Sequence, residues 1–369
     1  MKLLLLLLLG CPKAVETGPP AGLGPPVLPA PEGRVYTRGQ GQPRDELVRW
    51  AVSPPPPAKG VEAPTPLPYD EVLSGAAAGA GIAWEELGGL DYPAVRWAAM
   101  RAGWPYPIQS WSFDISPQET PNQAWLGQVR AQVKPGQLVG LARVRNPQGE
   151  VWVALFSTPT APLPAFEREH AVGDLLTLPP PNGAAWSLRA ASPSRRLVEG
   201  ASIALTEPGE WVLDIVGPTG QLYSRLPLYV GESTPEDGPM NELGKPPEDE
   251  GAALREALAL VNELRSLVDA PKVSTEAMLA AVARKEVARR AAGGAAPTDS
   301  EERLRAAGFP DGPVGEISCR AQTVSECLDG IYWSTDPRRV LLDPAMDAVG
   351  GAVSISDGDL RIVLEFARR

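Results

Sequence analysis

Residues 349–366 read VGGAVSISDGDLRIVLEF, and their period decides the fold. Val349 to Ile355 and Leu360 to Phe366 are strand-like runs, and Asp357-Gly358 between them accepts the positive φ of a tight hairpin turn. Upstream the period changes. Leu254, Leu258, Val261, Leu264 and Val268 make one apolar stripe of an amphipathic helix. Ser274 reads as the cap of a second helix, with Glu276 in its first turn, running to about Ala292. Thr298 with Glu301 and Thr323 with Glu326 have capping-box spacing and predict helices starting near Asp299 and Val324. Helices first and a hairpin last predict an α+β sandwich over residues 251–369.

Before this domain, residues 232–250 are acidic and rich in Pro and Gly, which marks an interdomain linker. Residues 165–231 alternate short apolar runs with Pro, Gly and Asn, the pattern of a small β-sandwich, clearest at Trp211 to Val216 and Leu222 to Val230. Residues 69–158 give helices over Asp70 to Ala78, Tyr92 to Ala102 and Pro121 to Val133, with Gly79-Ala80-Gly81 as a helix end. A hairpin of Leu138 to Val144 and Val151 to Phe156 turns at Asn146 to Gly149. Arg101-Ala102-Gly103-Trp104-Pro105 echoes Ala306-Ala307-Gly308-Phe309-Pro310, and the two hairpins echo each other. Either 69–158 is a decayed copy of the C-terminal fold, or Ala-rich helices coincide. Residues 11–68 are dominated by Pro, Gly and Ala and read as a disordered tether, with Glu46 to Val52 a short piece able to dock.

Composition narrows the function. With 42 Pro and 37 Gly in 369 residues the chain is not all-helical, and a net charge of −11 argues against nucleic acid as partner. A single histidine, His170, rules out a His-rich metal site, and it follows polar residues as a loop histidine would. No GxSxG is present, and the arginine pairs Arg195-Arg196, Arg289-Arg290 and Arg338-Arg339 read as solvated.

The chain opens with Met1, Lys2, leucines 3–9, Gly10 and Cys11. A leucine run of about 10 Å cannot cross a core of about 30 Å, so residues 1–10 read as a signal peptide. Leu8-Leu9-Gly10-Cys11 resembles the bacterial lipobox, which implies cleavage before a lipidated Cys11, a palmitate-type anchor and membrane as partner. Pro12 at the next position leans toward the outer membrane, on its periplasmic or surface face. In such an oxidising compartment Cys319 and Cys327 read as one disulfide, worth about 2.5 kcal/mol in the chain-entropy model. Two buried thiols or a metal pair are the alternatives.

The C-terminal residues resemble the CAP superfamily, also called SCP-like, of cysteine-rich secretory, antigen 5 and pathogenesis-related proteins. Ala259 to Leu267 is similar to the family's LVNxxR start, Arg303 to Phe309 to RLRAAGY and Gly315-Glu316-Ile317 to GEN. Leu328 to Ser334 stands at VDGWMNS, Leu341 to Pro344 at LLNP and Val349 to Val353 at VGVGV. The resemblance implies an α-β-α sandwich with a cavity of two histidines and one or two glutamates holding a divalent metal. Here only Glu316 remains. The first histidine falls in the loop Gly293 to Pro297, the second at Pro337 beside a matching Arg338, and Ser334 takes the place of a second glutamate. Loss of imidazole removes the usual neutral ligand and proton carrier, so no metal and no cofactor are expected.

The expectation is therefore a multidomain, membrane-anchored envelope lipoprotein with a degenerate CAP-like domain in a non-catalytic binding or structural role. One alternative is a metal-independent hydrolase acting on envelope peptide or lipid with Glu316 as general base. Another is a glycan-binding module using Trp84, Trp97, Trp104, Trp111 and Trp125.

Overall fold

The computed structural model of the chain describes residues 33–369 apart from 57–61, 148, 181–184, 237, 240–242, 295–298, 310–311 and 357. Cys11, Thr298 and Asp357 lie outside the described residues. Strand β1 (Val35–Tyr36) and helix α1 (Glu46–Val52) come first. They are followed by α2 (Glu71–Leu87), α3 (Tyr92–Ala102), β2 (Ser110–Ser116), α4 (Gln123–Gln132), β3 (Leu138–Asn146) and β4 (Gly149–Ser157). The middle region holds β5 (Phe166–Glu167), β6 (Glu169–His170), β7 (Leu175–Thr177), β8 (Ser187–Ala191), β9 (Leu197–Gly200), β10 (Ser202–Ala204), β11 (Gly209–Val216) and β12 (Leu222–Val230). Last come α5 (Glu250–Ser266), β13 (Ser274–Thr275), α6 (Ala277–Ala291), α7 (Ser300–Ala306), β14 (Val314–Ala321), α8 (Val324–Tyr332), α9 (Thr335–Leu342), β15 (Ala348–Ser356) and β16 (Asp359–Ala367).

The last unit is a sheet of order β13-β15-β16-β14 with helices on both faces. Because side chains alternate along a strand, each face has its own core. Leu364 and Phe366 of β16 and Ile317 of β14 pack with α5, α8 and α9. Val363 and Ala367 pack with α6 and α7. The expected disulfide is present, joining Cys319 of β14 to Cys327 of α8 with Cα atoms 5.5 Å apart.

Several local expectations shift. Ser274 does not cap α6; its backbone enters β13, parallel to Ala348, and Glu276 is the cap, accepting from the Met278 N–H. The fully buried face of α5 is Ala253, Ala257, Val261 and Leu264, while Leu254 and Leu258 are half-buried and Val268 lies past the helix end. Small alanines let the helix approach its neighbours, and Leu254 covers Gly351 instead. Thr323 caps α8 as expected, but the Glu326 carboxylate reaches back to the Gln322 N–H rather than that of Thr323. Asp299 caps α7.

The unit spanning α2 to β4 repeats this plan. Its sheet order β2-β4-β3, extended by a parallel bridge from Tyr69 to Val139, matches β14-β16-β15-β13. The cap residues Asp70 and Glu276 donate their N–H groups to Val139 and Val349, at 3.0 and 2.9 Å. Gly140 and Gly350 occupy the same place, each so close to the helix above it that a Cβ would strike helix backbone. Both α3 and α7 close with a left-handed glycine, Gly103 and Gly308, followed by Trp104 and Phe309 donating to carbonyls five residues back. In this unit α2 runs on through Gly79 and Gly81 to Leu87. Position 81 needs a glycine because the sheet fills the place of its side chain: a Cβ would lie 2.7 Å from Val144. Pro121 stands outside α4, whose cap is Asn122.

The folded body begins well inside the expected tether. Tyr36 of β1 is fully buried against Phe166, and β1 pairs with β5. Asp45 caps α1 and pairs with buried Arg143 of β3, while Leu47, Val48, Ala51 and Val52 pack on Trp152 and Phe156. The apolar pairs of α1, one turn apart, outweigh the surrounding Pro-rich composition. In the middle region the sheet β6-β12-β11-β8-β9 and the ribbon β10-β7 share one core around Trp211. The acidic linker also packs: Gly244 donates to Asp91, and the Glu236 carbonyl accepts from Arg101.

Candidate functional site

Glu316 sits on β14 directly opposite Glu365 of β16, both facing α6 and α7. Arg290 Nη2 of α6 donates to Glu316 Oε1 at 2.5 Å, and Arg303 Nη2 of α7 donates to Glu316 Oε2 and to Glu365 Oε1, the latter at 3.0 Å. Arg290 also donates to the Ser318 hydroxyl and, at 2.6 Å, to Glu286, which Arg289 holds from the other side. Three carboxylates thus alternate with three guanidiniums on one sheet face. A carboxylate with a guanidinium on each oxygen has its negative charge matched and one acceptor site of each oxygen taken, so the geometry makes Glu316 an ion-pair partner. Among the described residues no group of three or more His, Cys, Asp or Glu could hold a metal ion.

The ion cluster has a polarity in pH. Hydrogen bonds from Arg289 and Arg290, acting against burial, hold the Glu286 carboxyl at about 2. Burial pushes Glu365 up to about 7, against the pull of Arg303, and its Oε2 has no hydrogen-bond partner among the described residues. A carboxyl whose folded pKa lies above its unfolded value contributes stability below the unfolded value, lost as pH rises through the folded one. From 4.5 to about 7 the window is worth about 3 kcal/mol. We therefore expect chemical denaturation to show wild type gaining about that much, relative to Glu365→Gln, between pH 8 and pH 4.5. Parallel pH profiles for the two proteins would refute it. Glu286 acts oppositely, its contribution present above 4.5 and lost only as pH falls through about 2.

The other positions named by sequence lie elsewhere. Ser334 caps α9 and uses its hydroxyl to donate to the Gly330 carbonyl and accept from Arg225 Nη1 at 2.6 Å. Pro337 is half-buried in the first turn of α9. Arg338 is buried, pairs with Glu210 of β11 at 2.6 Å, and stacks 4.0 Å over the Tyr332 ring. Helix α9 packs on the sheet face opposite the one Glu316 occupies, so the structure does not bring Glu316 together with Ser334 and Arg338. What the helix residues build is an interface with the middle region, where Thr335 also donates to Asp214 and Arg225 pairs with Asp214 at 2.7 Å. Across the other seam Arg96 of α3 meets buried Asp329 at 3.2 Å, and Trp97 stacks on Trp333 at 6.0 Å. Neither Arg290 nor Arg338 is a solvated surface arginine. The signals that could have found the cluster are the Glu286/Arg290 spacing of four and an acid, Glu365, between Leu364 and Phe366 in an apolar strand.

The first unit shows what else can fill that place. By register and helix position, Glu286, Arg290, Arg303, Glu316 and Glu365 correspond to Ala80, Trp84, Ala98, Trp111 and Leu155. All five are apolar and form or border one core cluster. This accounts for two of the five tryptophans considered for a glycan platform. Of the others, Trp104 is 1% and Trp125 7% exposed, and Trp97 is half-buried at the α3 seam. They do not form an exposed row.

No family model matches the chain, and no curated protein matches it. Among solved structures it is similar to a cysteine-rich secretory protein from Staphylococcus aureus, at 16% identity over 45% of this chain and 57% of that one, with a TM-score of 0.30. An outer surface protein from Borrelia burgdorferi is similar at 16% identity over 34% and 99%, TM-score 0.31. So is an extracellular protein containing an SCP domain from Bacillus anthracis, at 17% identity over 46% and 63%, TM-score 0.29. The chain spans 57% and 63% of the staphylococcal and bacillar proteins, and scores this low assign no family. No helix among the described residues is long and apolar enough to cross a membrane.

Proposed function

We propose that the chain is a lipid-anchored protein of the bacterial cell envelope, held in the membrane through Cys11, whose CAP-like C-terminal domain serves a non-catalytic binding or structural role. The observation that carries the non-catalytic part is the pair of guanidiniums on Glu316, which leaves the one surviving acid of the resembled cavity bound on both oxygens. Ser334 and Arg338 support it too, since both are engaged in holding the middle region. The anchoring rests on the order of Leu8-Leu9-Gly10-Cys11 behind a short leucine run. In this reading residues 1–10 are removed, the span from Cys11 to the first described residues is the tether, and the two α+β units flank a β-sandwich. A hydrolase using Glu316 is the weaker reading, because the acid opposite it, Glu365, shares the Arg303 guanidinium with it, and no imidazole stands beside that carboxylate among the described residues.

Fractionation tests the anchor. Full-length protein expressed in a bacterium should sediment with membranes and yield a diacylated Cys11 by mass spectrometry, while Cys11→Ala should be released. Membrane association that survives Cys11→Ala, or an unmodified Cys11, would overturn it.

A further inference from the structure

Where the first unit, the middle region and the last unit meet lies a cleft of about 680 Å³, within the range that takes a small organic ligand. Its floor is polar. Glu210 Oε1 accepts from Arg338 Nη2 at 2.6 Å and from the Tyr332 hydroxyl at 2.8 Å, whereas Oε2 has the Tyr229 hydroxyl at a distant 3.5 Å. Its walls include Trp97 and Leu342. Charge in the cleft does not balance among the described residues: Glu210, Glu232 and Asp269 line it against one cation, Arg338. That guanidinium is buried, stacked on Tyr332 and already bonded to Glu210, so it cannot neutralise the rim.

We propose that this cleft binds an organic cation, an ammonium or guanidinium on an apolar stem, with the charge between Glu210 and Glu232 and the stem against Trp97 and Leu342. The inference rests on the reading of a non-catalytic binding protein and gives it a ligand class. Burial and the neighbouring Glu210 charge both raise the Glu232 carboxyl, the mark of an acid lacking a cationic partner. A cation entering there would relieve that repulsion. An anionic ligand would meet three carboxylates, and a neutral one would leave the Glu232 charge unmatched.

The test is calorimetric titration of the full chain with 4-phenylbutylamine and with its neutral counterpart 4-phenylbutanol. Acetyl-Phe-Lys-amide serves as a peptide-borne cation. The amine should bind at least about tenfold tighter than the alcohol, and the advantage should shrink with added salt. Glu232→Gln, at an exposed position, should weaken the amine about fivefold and leave the alcohol unchanged. Peptide binding at least as tight as the amine's would identify a basic side chain as the source, and preference for the free amine a small molecule. Both support the proposal. Equal affinity for amine and alcohol, or no binding at about 10 mM by folded protein, would overturn the ligand class while leaving the non-catalytic reading in place. Cleavage of the peptide, read by mass spectrometry of the same samples, would instead overturn the non-catalytic reading and the proposal with it.

Discussion

Gly350→Ala should destabilise the chain by about 3 kcal/mol or more, and Gly140→Ala should do the same in the first unit. At Gly350 the added Cβ would stand 2.0 Å from the Ala280 amide nitrogen and 2.3 Å from the Leu279 carbonyl carbon. At Gly140 it would stand 2.2 Å from the Leu73 carbonyl oxygen. Both obstacles are helix backbone, which cannot rotate away as a side-chain tip can, so the helix must lift from its strand and uncover apolar surface on both. Gly330→Ala is the internal control. It lies in α8 with nothing within 4 Å of an added Cβ, and should be neutral or stabilising by up to about 1 kcal/mol. Urea denaturation of the three variants checks the set. A tolerated alanine at both close-packed sites would contradict the shared helix-on-strand plan of the two units.

The second large effect separates an ion cluster that is needed from one that is replaceable. Arg303→Ala should cost about 3–5 kcal/mol near pH 8, because it leaves Glu316 and buried Glu365 facing each other with one guanidinium fewer. The loss should be smaller near pH 5, where Glu365 carries a proton. The five-fold exchange Glu286→Ala, Arg290→Trp, Arg303→Ala, Glu316→Trp and Glu365→Leu installs the residues that the first unit uses in the same places. It should be more stable than Arg303→Ala alone, since replacing a whole buried ion group by packed apolar side chains is often neutral or stabilising. A five-fold variant that unfolds as readily as the single one would mean that the two units only look alike in topology.

How far this was legible in the sequence depends on the kind of signal. The last hairpin and the helix Tyr92–Ala102 follow from period and capping, which are local, and they stand where expected. Val349 to Val353 also hides a long-range fact: Gly350 is glycine because α6 lies on it, which no local rule states. Glu46–Val52 stood out only as a short piece able to dock, and its Pro-rich surroundings hid both its helix and the Trp152 and Phe156 that wait for it about a hundred positions away. Pairing across the fold was the least legible. Arg289-Arg290 and Arg338-Arg339 look alike as dipeptides. Yet Arg290 and Arg338 serve different networks on different sheet faces, because their partners Glu316 and Glu210 come from strands far apart in the chain. Glu316 stood out in the sequence only as the remaining acid of the resembled cavity; it is half-buried, and its arginine partners lie on helices whose facing residues are set by tertiary packing.

The central claim is that Glu316 is an ion-pair partner and neither a metal ligand nor a general base. Zinc is the sharpest probe, since a protein site needs three or four N, S or carboxylate ligands and Glu316 stands among guanidiniums. Calorimetric titration of the full chain with Zn²⁺ should show no stoichiometric binding tighter than about 10 μM, for wild type and for Glu316→Gln alike. Tighter stoichiometric binding by wild type that disappears in Glu316→Gln would contradict the account and restore a catalytic reading of the site.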